Sequence, residues 1–261
     1  MEDKPKLSIV KIGGNVIDNP DALQQFLSDF SKIEGAKILV HGGGKLATKT
    51  AEGLGLKPLF SEGRRITDKP MLEIAVMTYA GWINKNIVAT LQSFGSNSIG
   101  FSGADGNLIR ADRRNPLPVD FGFVGDVTAV NATLLQALLL QQLVPVFSAI
   151  THDGKGQLLN TNADTIAAEL AIASTPFFDV TLTYCFEKNG VLLDSENEDS
   201  IIEKLTFDYY CELRKNGTIH SGMLPKLENC FRAAAAGVSH IAIGSPEMLK
   251  QTNSSFTLIT N

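Results

Sequence analysis

The chain has 261 residues, 44% of them hydrophobic and 20% charged, which is ordinary for a globular protein with a sizeable core. A formal net charge of -5 argues against a nucleic-acid partner, and the basic residues form only short pairs such as Arg64-Arg65 and Arg113-Arg114. Three scattered cysteines (Cys185, Cys211, Cys230) make no disulfide framework or metal-ligand set, no apolar run nears the ~18 residues of a membrane span, and Met1-Glu2-Asp3-Lys4 opens no signal peptide, so a cytoplasmic protein is expected.

Leu7 to Ile12 is a β-branched run carrying Lys11 near its end and followed by Gly13 and Gly14, the pattern of a buried strand in an α/β sheet. Ligands of such sheets sit beyond the carboxyl ends of the strands. Glycine N–H groups there approach an anion unobstructed, and Lys11 adds a mobile full charge, so a phosphate site is expected. Asn19-Pro20 predicts a helix start, with Leu23, Phe26, Leu27, Phe30 and Ile33 on one face. Ala36 to Val40 predicts a second strand, running into His41-Gly42-Gly43-Gly44-Lys45. Strand, helix, strand is a βαβ unit, which brings both glycine loops to one sheet edge. His41, alone at a strand end, reads as structural.

Ala47 to Leu54 predicts a helix leaving that loop. The polar stretch Glu62 to Asp68 offers Arg64 and Arg65, whose forked donors suit a carboxylate. Asp68 caps a helical pattern through Ile74, Met77, Ile87, Val88, Leu91 and Phe94, expected as one uninterrupted helix and a subunit contact. Strands are expected at Ser98 to Phe101, Asn107 to Ala111, Phe121 to Val130 and Val144 to Ile150, with a helix capped by Asn131 before the last. Asp153 to Gly156 predicts a hairpin turn. Asn160, Asn162 and Asp164 open the next helix; capping uses one of these polar side chains, and the others are expected to face a polar site. Phe178 to Phe186 reads as a strand, Ile201 to Leu213 as a helix, and Val238 to Ile243 and Phe256 to Ile259 as closing strands. Pro225 and Lys226 open an alanine-rich helix, where a lysine opposes the helix dipole unless an anion is bound there.

No Walker-type loop, dinucleotide fingerprint, protein-kinase set or nucleophile elbow is present in this sequence. Two glycine loops, two lysines, an arginine and an Asn/Asp cluster suit phosphoryl transfer to a carboxylate, where catalysis is alignment plus positive charge. A carboxylate acceptor, with a free pKa of ~4.3, needs no general base.

The segments K-I-G-G-N at 11–15, H-G-G-G at 41–44, G-R-R-I-T at 63–67, N-T-N-A-D at 160–164 and G-M-L-P-K at 222–226 are each modest alone. In this order they resemble the amino acid kinase family, and within it the kinases of N-acyl-L-glutamate. The resemblance implies a single α/β domain over 1–261, a three-layer αβα sandwich around a mainly parallel sheet of about eight strands. Its N-terminal lobe, about 1–175, would bind acyl-glutamate, and its C-terminal lobe, about 176–261, would bind ATP. It implies use of ATP and Mg²⁺, with no metal-ligand residues of its own, to phosphorylate N-acetyl-L-glutamate or N-succinyl-L-glutamate in arginine biosynthesis. Lys11 and Lys226 would flank the transferring group and Asp164 would hold both lysines. Gly43, Gly44, Arg65, Asn160 and Asn162 would hold the acyl-glutamate. Gly13 and Gly14 would meet the phosphates, and the nucleotide would lie against Cys185, Phe186, Gly190, Val191, Leu192, Thr218, Ile219 and His220.

Where the family usually carries Thr/Ser-Asp-Val at a strand end, this chain has Tyr184-Cys185-Phe186 and a longer loop, and the usual aspartate is missing. Lys11 lies too near the N-terminus for the hexamer-building helix of arginine-inhibited relatives, so a homodimer without arginine feedback is expected. The rival readings are a kinase of the same fold acting on free aspartate, glutamate or carbamate, and a non-catalytic sensor. Against the first stands a chain that ends with its last strand, and against the second the presence of both lysines and Asp164.

Overall fold

The computed structural model describes residues 4–61, 64–219, 222–250 and 255–260. The N-terminal run forms β1 (Lys6–Ile12), buried on both faces as a continuous apolar strand must be in a covered parallel sheet. One turn of helix, α1 (Gly14–Ile17), leads to α2 (Pro20–Ser31). The Asn19 side chain accepts from the N–H groups of Asp21 and Ala22, each at 3.1 Å, and Pro20 takes the first helical position. At the far end of α2, the Lys37 ammonium donates to the carbonyls of Ser31 and Ile33 at 2.6 and 2.7 Å, satisfying acceptors that the helix and its exit leave open. Lys37 itself lies on β2 (Ala36–His41), which pairs in parallel with β1 so that Ile12 faces His41. Both glycine loops therefore leave the sheet at the same edge.

α3 (Leu46–Gly53) follows the second loop, and a hairpin of β3 (Leu59–Ser61) and β4 (Arg64–Ile66) carries the paired arginines. Asp68 caps α4 (Lys69–Ala75), accepting from Met71 N–H at 2.9 Å. The rod does not continue as regular α-helix: Val76–Ile83 is a π-helical stretch before α5 (Asn84–Ser93). The Thr78 hydroxyl donates to Ile74 O at 2.7 Å, competing for a carbonyl of the regular ladder, and the apolar period alone carried no sign of this.

The chain continues through β5 (Ser98–Phe101), β6 (Ile109–Arg113), β7 (Gly125–Val130) and α6 (Ala132–Leu140), capped by Asn131 as expected. The predicted strand at Val144 to Ile150 is two strands, β8 (Val144–Phe147) and β9 (Ile150–His152). They belong to different sheets: Ser148 N–H bonds to Phe101 O, and Ala149 O accepts from Thr161 N–H, so the chain changes sheet between them. β10 (Leu158–Asn160) returns from the predicted hairpin turn and leads into α7 (Ala163–Ser174) and β11 (Asp179–Cys185). The expected helix at Ile201 to Leu213 is instead an edge strand, β12 (Lys204–Thr206), followed by α8 (Phe207–Lys215). Leu205 is fully buried opposite Ile259, and Thr206 caps α8 through Tyr209 N–H. α9 (Leu224–Ala235), β13 (His240–Gly244) and β14 (Thr257–Thr260) complete the chain.

Eight strands form the main sheet in the order β12-β14-β13-β11-β1-β2-β8-β5, parallel throughout except for β13 against β14. Helices α6, α7 and α9 pack side by side on one face, and α2 packs with α5 in the other helical layer. This is the mainly parallel sandwich expected. A second sheet, β10-β9-β6-β7, is built from the inserted strands. His41 is fully buried between these layers, its Nδ1–H donating to Gly42 O at 2.8 Å and its Nε2 accepting from the Asn84 amide at 3.0 Å. Burial drives its pKa down to about 4, so the ring is neutral and props the glycine loop. Among the described residues no helix is long and apolar enough to cross a membrane.

Candidate active site

Sheet order decides what lies beyond the strand ends. With β11, β1 and β2 adjacent, Lys11 near the end of β1 sits opposite Tyr184 on one side and Val40 on the other. Asp164 is in the first turn of α7 and Lys226 in the first turn of α9, and those helices pack together over the same strands. Lys11 Nζ lies 2.8 Å from Asp164 Oδ1, and Lys226 Nζ lies 3.0 Å from Asp164 Oδ2. Both lysines are 8% exposed. Burial lowers the Lys11 pKa, and Lys226 adds to this while Asp164 opposes it. For Asp164, burial alone would raise the pKa, but the two ammonium groups outweigh it and hold the carboxyl well below the usual carboxylate range. The trio carries one net positive charge.

The glycine loops meet at this place. A Cβ on Gly43 would fall inside the Tyr79 ring, 1.5 Å from a ring carbon, and Gly44 adopts φ +54 with the Asp18 carboxylate where a Cβ would point. Gly14 approaches so near that its Cβ would sit 3.2 Å from Gly44 Cα. Asp18 locks the arrangement by accepting from Lys45 N–H at 2.9 and 3.1 Å. A cavity of about 380 Å³ opens between the loops, lined by Gly13, Gly14, Gly44, Lys45, Phe186 and Glu187.

Two further cavities reach the start of α9, one at Lys226 and the other at Pro225. One, of about 380 Å³, is walled by Phe186, Gly190, Val191, Leu192, Thr218 and Ile219, and Lys226 and Glu187 also face it. Its walls are mostly apolar with a few polar groups, suited to a flat heterocycle. The third, of about 220 Å³, is lined by Arg64, Arg65, Arg114, Asn160, Asn162 and Pro225. Lys226 and its neighbour Pro225 thus separate a mainly apolar chamber from one rich in guanidinium.

Arg65 donates to Thr48 Oγ1 at 2.8 Å and stacks over the Phe60 ring, 4.7 Å from its centroid, which holds the fork in place. Burial raises the Tyr79 hydroxyl pKa, and the nearby Arg65 charge offsets part of this. Asn160 donates to Thr67 Oγ1 at 3.0 Å. Asn162 supplies the cap of α7, accepting from Asp164 and Thr165 N–H, while its residue still lines the arginine cavity. Cys185 is fully buried, burial pushes its thiol up to about 12, and the residue does not line the apolar cavity. His220 lies outside the described residues, as does Gly63 of the paired-arginine segment.

Sequence reasoning missed Arg114 and Glu187. Arg114 reads as one of a scattered surface pair, and its bidentate contact with Asp126 holds it at the cavity wall. Glu187 follows the strand that departs from the expected pattern, and it borders both the glycine-loop and the apolar cavity. A carboxylate immediately past a strand end was the only available signal.

The sequence profile of the amino acid kinase family matches residues 6–245. The chain is 53% identical over 240 residues to the acetylglutamate kinase of Phocaeicola vulgatus, covering 92% of this chain and 93% of that one. It is 52% identical over 246 residues to the acetylglutamate kinase of Cytophaga hutchinsonii, covering 94% and 93%. Among solved structures, the smu.665 protein of Streptococcus mutans superposes with a TM-score of 0.78 at 26% identity, covering 97% and 98%. With this fold, these motifs and that extent of identity, the chain belongs to the amino acid kinase family.

Proposed function

We propose that the protein transfers the γ-phosphoryl group of ATP to the side-chain carboxylate of N-acetyl-L-glutamate, the activity named for its relatives at about 50% identity. The observation that carries the site assignment is the pair of lysines clamped by Asp164, with Lys226 lining the apolar cavity and its neighbour Pro225 the arginine one. In this reading the nucleotide base occupies the apolar chamber of the C-terminal lobe, with its phosphates running toward Gly13 and Gly14. The acyl-glutamate lies in the N-terminal lobe with its α-carboxylate on Arg65, against Gly43, Gly44, Asn160 and Asn162.

The reaction forms a bond between a carboxylate oxygen and the γ-phosphorus and breaks the bond from that phosphorus to the β–γ bridging oxygen. ADP leaves with the electron pair. The acceptor is already ionised at neutral pH, so no side chain need remove a proton. The barrier is repulsion between two anions, and Lys11 and Lys226 lower it by placing positive charge at the transferring group. Asp164 fixes their geometry without neutralising both.

Mg²⁺ usually keeps several waters and binds through one or two carboxylates plus substrate phosphates. Among the described residues no three His, Cys, Asp or Glu side chains cluster to hold a metal. Asp164 is engaged by two lysines and Asp18 by Lys45 N–H, which leaves Glu187 as the carboxylate facing the phosphate path. That donor set fits an ion carried in on ATP, where it would neutralise triphosphate charge. A coupled ADP-release assay with N-acetyl-glutamate, N-succinyl-glutamate, glutamate and aspartate tests the whole reading. Turnover confined to free glutamate or aspartate overturns it.

Arg65→Ala is expected to raise the KM for the acyl-glutamate by roughly 10- to 100-fold, the loss of a charge-assisted contact, with the KM for ATP little changed. A larger loss of ATP affinity instead would place Arg65 in the wrong lobe. We also propose a homodimer built on the rod from α4 to α5, where Met77 and Trp82 are 57% and 68% exposed. Light scattering is expected to give twice the chain mass, and a monomer at assay concentration removes this part of the proposal.

A further inference from the structure

Lys226 rests on an aromatic floor. Its Nζ lies 5.1 Å from the Tyr184 ring centroid and 5.9 Å from that of Phe186. Tyr184 is the second-last residue of β11 and Phe186 follows the strand directly, and both rings approach the same ammonium. Tyr184 is fully buried, and its hydroxyl donates to the main-chain carbonyl of Asp164 at 3.0 Å. One side chain therefore touches the lysine with its ring and the aspartate residue with its hydroxyl.

A lysine is a point charge on a flexible four-carbon stem, and a single carboxylate contact leaves it several orientations. The negative face of an aromatic ring adds a second point of attraction, stronger where water is excluded. We propose that Tyr184 is a positioning residue for phosphoryl transfer, its ring setting the place of the Lys226 ammonium while its hydroxyl ties the ring to the first turn of α7. The alignment is then complete before substrate arrives, so the ordering entropy is not spent at the transition state. This inference rests on the catalytic reading of Lys226.

The test compares Tyr184→Phe, Tyr184→Leu and Lys226→Ala by steady-state kinetics, well below each variant's melting temperature. Tyr184→Phe keeps the ring and is expected to stay within about threefold of the wild-type kcat. Tyr184→Leu removes the ring and is expected to lose roughly tenfold in kcat, with both KM values within about twofold. A Tyr184→Leu enzyme with wild-type kcat beside an inactive Lys226→Ala enzyme overturns this inference and leaves the reading of Lys226 standing. Normal turnover by Lys226→Ala overturns the reading of Lys226 itself. Equal losses in the Phe and Leu variants, or a fall in kcat matched by rises in both KM values, show that the ring does not position the lysine. A measurement on the wild-type protein is independent of variant folding: with ¹³C-labelled lysine, the ε-methylene signal of Lys226, assigned through Lys226→Arg, is expected upfield of the other lysines from the ring current. An unshifted signal refutes the contact.

Discussion

Lys226→Ala is expected to lower kcat by roughly a hundred- to a thousandfold, the usual consequence of removing one electrostatic contact at a transferring group, about 2.7–4 kcal/mol. The side chain reaches from the first turn of α9 to Asp164 Oδ2 and also lines the apolar cavity, so it stands between the two proposed substrates. Its removal leaves Asp164 paired with Lys11 alone, and that trio becomes a neutral pair. The repulsion between acceptor and triphosphate then goes largely uncompensated. Alanine is the better helix former, so α9 and the fold are expected to persist. Circular dichroism and a melting curve check the fold, and steady-state assays check turnover. A variant within about threefold of wild-type kcat would remove Lys226 from the mechanism.

Asp164→Asn is expected to damage both activity and stability. Asparagine keeps the shape but leaves two largely buried ammonium groups facing each other without their shared counter-charge. Losing one partner of a buried ion pair typically costs about 3 kcal/mol or more, and the lysines lose their geometry, so kcat is expected to fall at least about a hundredfold. The pH dependence has a definite sign. Because the folded-state pKa of Asp164 is depressed, its contribution to stability is complete above the unfolded carboxylate value of ~3.9 and is lost as pH falls through the folded value. Urea unfolding should therefore separate wild type and variant most at neutral pH and less at about pH 3. A gap independent of pH would show that ionisation of Asp164 is not what stabilises the fold here.

Local features were legible from the chain because their causes are local. Asn19, Asp68 and Asn131 cap helices within three residues of themselves, and the strands at β1 and β2 declare themselves as short β-branched runs. The segment from Ile201 was read as a helix because a few apolar residues at short spacing fit either period, and only pairing of Leu205 with Ile259 resolves the choice. The π-helical stretch behaves similarly: its apolar residues suit any helix, and the ring of Tyr79 against Gly43 has no signature in its own segment. Arg114, Glu187 and Tyr184 drew no site assignment from the sequence because the cavities and contacts they face are built from segments remote in the chain.

By itself, the order of residues determined the two glycine-bearing strand ends, the lysine at a helix start and the α/β character, since backbone conformation and side-chain period are set by nearest neighbours. Tertiary structure alone decided that Lys11 and Lys226 share the Asp164 carboxylate, and that an apolar chamber reaches Lys226 while an arginine chamber reaches Pro225 beside it. That convergence comes from the placing of β11 beside β1 and of α7 beside α9, and contacts between segments so far apart in the chain leave no trace in any local pattern.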